Sequence, residues 1–364
     1  MTAKRLRVLV CGVTFGQVYL RGVASLPAHF ELAGILARGS AHARDCARRH
    51  GVPLYTAVEQ VPPQSVDLAC VVVRAGVVGG VGTELALALL ARGIHVLQEH
   101  PLHHDEVAAC LRAARQAGCR YRINSFYPDV APVARFIDAA RRALALREAV
   151  YVDAACSVHV LYPLVDMLGQ ALGALRPWAF ARLLDDDHGG PFTSIVGRIG
   201  GVPLTLRVQN QLDPADPDNY TQLLHRIALG TSGGTLTLSD THGHVLWHPR
   251  MHLERRDDGV LDLAAEDAAT ALPVGSLLGP AEAPTFGAVF RELWPQAIAR
   301  ALLRMHTAIG NPAGEAALSQ YTLSSCKVWQ ELGTLLGPTR PVAAGAPRPL
   351  PAEALLANTG SMPT

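Results

Sequence analysis

Lysine is almost missing from this chain. Among 364 residues only Lys4 and Lys327 are lysines, charged side chains of all kinds make up 17% of the sequence, and the net charge is +1. No long basic run occurs. A protein that tracks a phosphate backbone gathers Lys and Arg on one face, so a nucleic-acid partner is not expected. Long apolar runs are missing too: no stretch reaches the roughly 18 uninterrupted apolar residues of a membrane-spanning helix. The apolar run at 8–13 is far shorter and lacks the small-residue cleavage site of a signal peptide. A cytoplasmic protein with no membrane partner is expected. The seven cysteines, at positions 11, 46, 70, 110, 119, 156 and 326, include no CxxC pair. An odd, scattered set in such a compartment reads as free, mostly buried thiols, with no disulfide and no metal site.

What the chain does have is apolar material. Hydrophobic residues make up 49% of it, ample for buried cores, and its length exceeds a typical domain of roughly 100–200 residues. Two domains are expected. The first third alternates strand and helix patterns: strands at 6–11, 30–37, 68–73, 95–98 and 120–124, helices at 15–25, 40–50, 83–92 and 105–117. The continuous apolar run at 68–73 is the pattern of a parallel strand covered on both faces. Ser40 is a plausible N-cap and Gly51 a stop for the second helix. This is the signature of βαβ units, hence an N-terminal doubly wound parallel sheet of the Rossmann kind. After Asn124 the texture changes. A helix is expected at 131–145 and another at 160–172, with strands near 149–157, 192–199, 202–210, 223–229, 234–239 and 244–247, then helices at 286–309 and 314–336. That pattern predicts a second α+β domain on an open, mostly antiparallel sheet. The division is 1–124, 125–336, and a Pro/Ala-rich tail at 337–364 that is mobile or draped on the surface.

Five places carry chemistry. The first strand ends in Gly12-Val13-Thr14-Phe15-Gly16, a GxxxG spacing with Thr14 in place of a middle glycine. Glycines at a strand-to-helix turn let the backbone approach a pyrophosphate, and the helix N-terminus offers N–H groups and a positive dipole end; a tight turn without a ligand is the alternative. The second strand leads into Arg38-Gly39-Ser40, with Arg44 one turn further on. An NAD-specific site places an acid here. Arginines and a hydroxyl suit the 2′-phosphate of NADPH, unless they are only solvated helix charges. Arg74 and the glycine-rich turn through Gly80 and Gly82 follow the next strand, at a strand end that lines the crevice. Glu99-His100-Pro101 follows the strand after that, with Glu99 placed on the cofactor's side. An imidazole, with an unperturbed pKa of about 6.5, donates or accepts a proton near neutrality. At the join of the two halves stands Asn124-Ser125-Phe126-Tyr127-Pro128. Tyr127 is a possible proton donor or a polar clamp at a domain interface, or a buried interface tyrosine without a chemical role. His103 and His104 read as solvated, Tyr162 and Asp166 as packing, and the histidines at 242, 244, 248 and 252 as surface.

The residues at 12–16, Arg74 with its glycine turn, and Glu99-His100-Pro101 together resemble the glucose-fructose oxidoreductase/inositol dehydrogenase family. Most members carry Glu-Lys-Pro at the turn, the lysine being catalytic, and many carry an Asp/His pair on the first substrate-domain helix. Here His100 replaces the lysine, and Asp166 stands without a matching histidine, so sugar or polyol dehydrogenation is put in doubt. The chain more closely resembles the thiazolinyl imine reductases of yersiniabactin- and pyochelin-type siderophore assembly lines. The similar segments are Gly12-Val-Thr-Phe-Gly-Gln-Val-Tyr19-Leu20, Leu36-Ala-Arg-Gly-Ser40-Ala41, Gly51-Val-Pro-Leu-Tyr-Thr56, Val72-Val-Arg74 through Gly82-Thr83, 93–103, Asn124-Ser-Phe-Tyr-Pro128 and 212–218. The likeness is dense over 6–130 and patchier to about 335. It implies NADPH-dependent reduction of a thiazoline C=N to a thiazolidine while the intermediate rides on a carrier domain of a nonribosomal peptide synthetase. His100 and Tyr127 are the implied proton donors, and a homodimer is the implied assembly. The competing expectations are an NADP-dependent sugar or polyol dehydrogenase of the same superfamily and a non-catalytic NADP-binding regulator.

Overall fold

The structure is a computed structural model, and it describes residues 5–73, 80–183, 190–216, 219–311, 313–343, 345 and 348–356. Strand β1 (Leu6–Cys11) leads to helix α1 (Gly16–Ala24), β2 (Phe30–Leu36), α2 (Ala41–His50) and a two-residue edge strand β3 (Leu54–Tyr55). Then come β4 (Leu68–Val71), α3 (Val81–Ala91), β5 (His95–Glu99), α4 (His104–Gln116) and β6 (Tyr121–Asn124). The six strands form one sheet in the order β3-β2-β1-β4-β5-β6, and every pairing is parallel. This is the doubly wound Rossmann order. All four residues of β4 are buried, as a central strand between two helical layers requires. The second helix starts and stops on its own residues: Ser40 Oγ accepts the Ala43 N–H at 3.1 Å, and Gly51 closes it with a φ of 65°.

Past β6 a tight turn leads into α5 (Ala131–Leu146), β7 (Ala149–Ser157) and α6 (Leu161–Leu172). Strands β8 (Ala179–Arg182), β9 (Phe192–Ile199), β10 (Val202–Gln209), β11 (Gln211–Leu212), β12 (His225–Thr231), β13 (Gly234–Leu238), β14 (Val245–Pro249) and β15 (Ser276–Leu277) follow. Eight strands make the second sheet, in the order β15-β14-β13-β12-β7-β10-β9-β8. It is antiparallel except where β7 and β10 run together. Helices α5 and α6 pack against it, while Asp153, Thr205, Arg207 and Arg226 are exposed on its strands. The expectation of a parallel sheet followed by an open, mostly antiparallel one therefore holds. The two-residue strands β3 and β15 are too short to show a pattern, and β8 is an edge strand exposed along most of its length.

The remaining helices return to the first domain. A three-residue helix α7 (Phe286–Ala288) and a π-turn at Val289–Leu293 precede α8 (Trp294–Gly310). The continuous helix expected over 286–309 is thus broken by a wider turn. Helix α8 lies against α1, so close that a Cβ on Gly22 would sit 2.6 Å from Ile298 Cγ2. Helix α9 (Glu315–Leu336) packs on α4 and α6. One buried cluster runs from Val8, Tyr19 and Phe126 to Val152 and Ile227, joining the two sheets through a shared core. Within the tail, β16 (Arg340–Pro341) pairs with β11. All seven cysteines are buried and free. No described helix is long and apolar enough to cross a membrane.

Candidate active site

The first half of the site is backbone. Gly12 sits at a φ of +95° where β1 ends, and a Cβ there would lie 2.4 Å from the Val72 carbonyl oxygen. Only glycine makes that turn against the end of β4. The chain passes through Thr14, exposed, and Phe15 into α1, whose first turn has no side-chain cap. Its leading N–H groups stand at the carboxyl edge of the sheet, between β1 and β4, where the strand order reverses and open α/β sheets take their ligands.

At the end of β2, Arg38, Ser40 and Arg44 are exposed together. Arg44 donates to the Gly39 carbonyl, and no acidic residue lies in the first turn of α2. Two guanidinium groups and a hydroxyl with no carboxylate in that turn could hold a phosphate ester. Arg74 lies outside the described residues.

The second half is made of side chains. Strands β5 and β6 end side by side, with Glu99 opposite Asn124. The His100 N–H donates to the Asn124 carbonyl at 3.2 Å. Its ring Nδ1 lies 3.0 Å from that same oxygen and 3.2 Å from Glu99 Oε1. Two phenols confine the ring. Tyr162 stacks on it, with centroids 5.8 Å apart at 15°, and Tyr127 meets it edge-on at 6.3 Å. The other Glu99 oxygen accepts from Tyr19 Oη and, at 3.5 Å, from Asn124 Nδ2, which also lies 2.6 Å from Tyr19 Oη. Burial, followed by the Glu99 charge, pushes the Tyr19 phenol well above its ordinary range, so it stays protonated.

Tyr127 is aimed by an unusual turn. The Tyr127 N–H donates to the Ser125 carbonyl at 2.7 Å, closing a three-residue γ-turn over Phe126 at φ 63° and ψ −63°. A non-glycine residue in that conformation carries strain of about 1–3 kcal/mol. Packing holds it there. The Phe126 ring is buried against Phe15, Tyr127 and Trp294, at 5.3, 4.9 and 5.6 Å. Behind Tyr127, at 4.9 Å, lies His225. His225 is fully buried, with Val160 O and Thr241 Oγ1 each 2.9 Å from a ring nitrogen. Burial lowers its pKa to about 3, so it is a neutral support.

The structure brings Glu99, His100 and Tyr127 together, and separately Arg38, Ser40 and Arg44. Asp166 is engaged elsewhere: Ser125, Gln170 and Tyr321 all donate to it. It lines a cavity of 540 Å³ whose walls include neither His100 nor Tyr127. Two expectations need correction. His103 is not simply solvated, because it caps α4, meets Gln330 Nε2 at 2.8 Å and packs on Trp329. His242 is buried, and its Nε2 accepts from Trp294 Nε1 at 3.0 Å. Sequence reasoning missed Tyr19 and His225 altogether. Tyr19 sits on the buried face of α1 and gives no local sign of reaching residue 99. His225 did leave a signal: it has the same inward parity as Ile227 and Leu229 on β12, and a histidine at such a position needs partners.

Comparison with known proteins adds two family matches. Residues 6–125 match an oxidoreductase family with an NAD-binding Rossmann fold. Residues 147–248 match the C-terminal domain of Irp3-like thiazolinyl imine reductases. No curated protein sequence matches the chain. Among solved structures, levoglucosan dehydrogenase in complex with NADH and levoglucosan is similar at 13% identity and a TM-score of 0.64, covering 92% of this chain and 98% of that one. GenD2 from gentamicin A biosynthesis, in complex with NAD, is similar at 15% identity and 0.62, covering 91% and 93%. A UDP-N-acetylglucosamine 3-dehydrogenase from Acidithiobacillus ferrooxidans is similar at 12% identity and 0.61, covering 92% and 100%. At such identities the likeness is one of fold.

Proposed function

We propose that this oxidoreductase uses NADPH to reduce a thiazoline C=N to a thiazolidine, on an intermediate held as a thioester by a carrier domain of a siderophore-type nonribosomal peptide synthetase. One observation carries the reading. The groups that meet beyond β5 and β6 are an imidazole and a phenol, His100 and Tyr127, in a chain whose lysines are Lys4 and Lys327 alone. The Irp3-like match of the second half supports the same substrate class.

The reaction adds one hydride to carbon and one proton to nitrogen. A bound nicotinamide supplies the hydride. The chain supplies the rest. The turn at Gly12, the uncapped start of α1 with Thr14, Phe15 and Gly16, and the Arg38, Ser40 and Arg44 cluster are the residues that would hold the dinucleotide. His100, through the ring nitrogen not engaged by Glu99 and Asn124, and Tyr127, through its phenol, are the two groups placed to protonate the ring nitrogen. Protonation makes the adjacent carbon more electrophilic, and general-acid help of this kind is worth about 10²–10⁴ in rate. The buried rings of Phe126, Tyr162 and Tyr127 help exclude water. A homodimer and a docked carrier domain belong to the same proposal.

The test is NADPH oxidation with a synthetic thiazolinyl thioester, followed by absorbance, with NADH as the control cofactor. Turnover with NADPH, and far less with NADH, is the expected result. The solved structures with similar folds include sugar dehydrogenases, so a panel of sugars and polyols with NADP⁺ runs alongside. Reduction of NADP⁺ by one of these, with no turnover of the thioester, would overturn the proposal. Cofactor affinity with no turnover in either direction would favour the binding regulator.

A further inference from the structure

The surroundings of His100 Nδ1 determine how that side chain works. Nδ1 faces two oxygens, the Asn124 carbonyl at 3.0 Å and Glu99 Oε1 at 3.2 Å. A backbone carbonyl cannot donate, and an ionised carboxylate only accepts. Nδ1 therefore carries the hydrogen, and the neutral ring is the Nδ1–H tautomer. That leaves Nε2 as the nitrogen that takes up and gives the working proton, and it puts a negative charge beside the imidazolium that forms when it does.

Glu99 is itself tethered. Its second oxygen accepts from Tyr19 Oη and from Asn124 Nδ2. Tyr19 has no exposed surface and Asn124 is 2% exposed. The contact from Tyr19 spans 80 residues of sequence, and the same asparagine that steadies Glu99 through its amide takes the His100 ring through its carbonyl. We propose that Tyr19 and Glu99 are positioning residues: Tyr19 fixes the Glu99 carboxylate, and Glu99 holds the His100 ring and fixes its tautomer. Glu99, assigned to the cofactor from sequence, has both oxygens engaged by protein groups in this arrangement. A fixed carboxylate–imidazole pair dictates which nitrogen is left to react.

The catalytic half of this inference rests on the reading of His100 as proton donor; the structural half does not. The test therefore reads both. The tautomer is read by NMR on full-length protein labelled with nitrogen-15 histidine, and the His100 signals are identified by their loss in His100→Gln. The wild-type neutral ring is expected to be the Nδ1–H tautomer. In Glu99→Gln the Nε2–H form gains population, and in Tyr19→Phe it gains less, because the carboxylate remains but is no longer tethered. In parallel, both variants lose kcat for NADPH oxidation, by about ten-fold or more in Glu99→Gln, with the NADPH Kd within about two-fold of wild type. A neutral ring of the Nε2–H form overturns the inference. So does an unmoved tautomer balance in Glu99→Gln together with a weakened NADPH Kd, which would make Glu99 a cofactor ligand. If wild type fails to turn over the thioester, the proposed reaction fails, but the tautomer populations of wild type and both variants still decide whether Glu99 and Tyr19 position His100.

Discussion

The two ends of the crevice are built on opposite plans. At the end of β2, Arg38, Ser40 and Arg44 stand exposed within seven residues of sequence. At the ends of β5 and β6, His100 and Glu99 are 8% and 14% exposed, and their partners come from α1, β6, the hinge and α6. The first end is a local motif that offers charge to solvent. The second is a set of long-range contacts that takes titratable groups out of solvent. A phosphate can be met by flexible charges that wait for it. A proton must be handed over by one atom at one angle, and that requires a rigid, buried surround.

The sharpest way to test this contrast is to remove one group from each end. His100→Ala is expected to lower kcat with the thiazolinyl thioester by about 10²–10⁴, while the NADPH Kd stays nearly constant. Arg38→Glu should do the reverse. It should weaken NADPH binding by about 10–100-fold, the range of a lost hydrogen bond to a charged group, while leaving NADH binding and kcat at saturation close to wild type. Cofactor titrations and initial rates on both variants separate the effects. A kcat loss at saturation in Arg38→Glu would mean that the two ends are coupled, and the contrast would fail.

The same contrast explains what could be read from sequence. The parallel sheet was legible because strands, caps and glycine stops are local: Ser40, Gly51 and the buried run of β4 announce themselves within a few residues. So was the cluster at Arg38. His100 was legible as a candidate from its place after a strand. Its partners were not, because Tyr19, Glu99 and Asn124 meet only once α1, β5 and β6 are stacked. The packing of α8 on α1 was hidden for the same reason, since nothing near Gly22 says that Ile298 will fill its missing side chain. The correct reading of His103 and His242 likewise depended on Gln330 and Trp294, residues far away in the chain.

Phe126 offers a smaller and more local test. Its positive φ is a strain of about 1–3 kcal/mol, while its buried ring is worth about 3–5 kcal/mol relative to alanine. The ring wins, so both Phe126→Ala and Phe126→Gly should be destabilised. Alanine loses the ring and keeps the strain, whereas glycine loses the ring and relieves it. Phe126→Gly should therefore be the more stable of the two by about 1 kcal/mol, the opposite of the usual order. Chemical unfolding of the two variants checks this. The usual order would mean that the γ-turn relaxes once the ring is gone.

The least conspicuous effect expected belongs to His225 behind Tyr127, and it can be read without any substrate. Burial lowers its pKa to about 3, against about 6.5 for an unfolded chain. Between those values the unfolded chain binds a proton that the folded chain refuses, so this contribution to stability is complete above about pH 6.5 and is lost as pH falls towards 3, by about 1.4 kcal/mol per unit. His95, His242 and His306 are lowered as well, and the total slope mixes all of them. His225→Gln isolates one. Glutamine can still donate to the Val160 carbonyl and accept from Thr241, so near pH 7 it should cost about 1 kcal/mol. As the pH falls, the gap between wild type and variant should close and then reverse, because glutamine has no proton to refuse. Urea unfolding of both proteins across that range supplies the curves. Parallel curves would mean that His225 takes up its proton in the folded state, and Tyr127 would then rest on a charge.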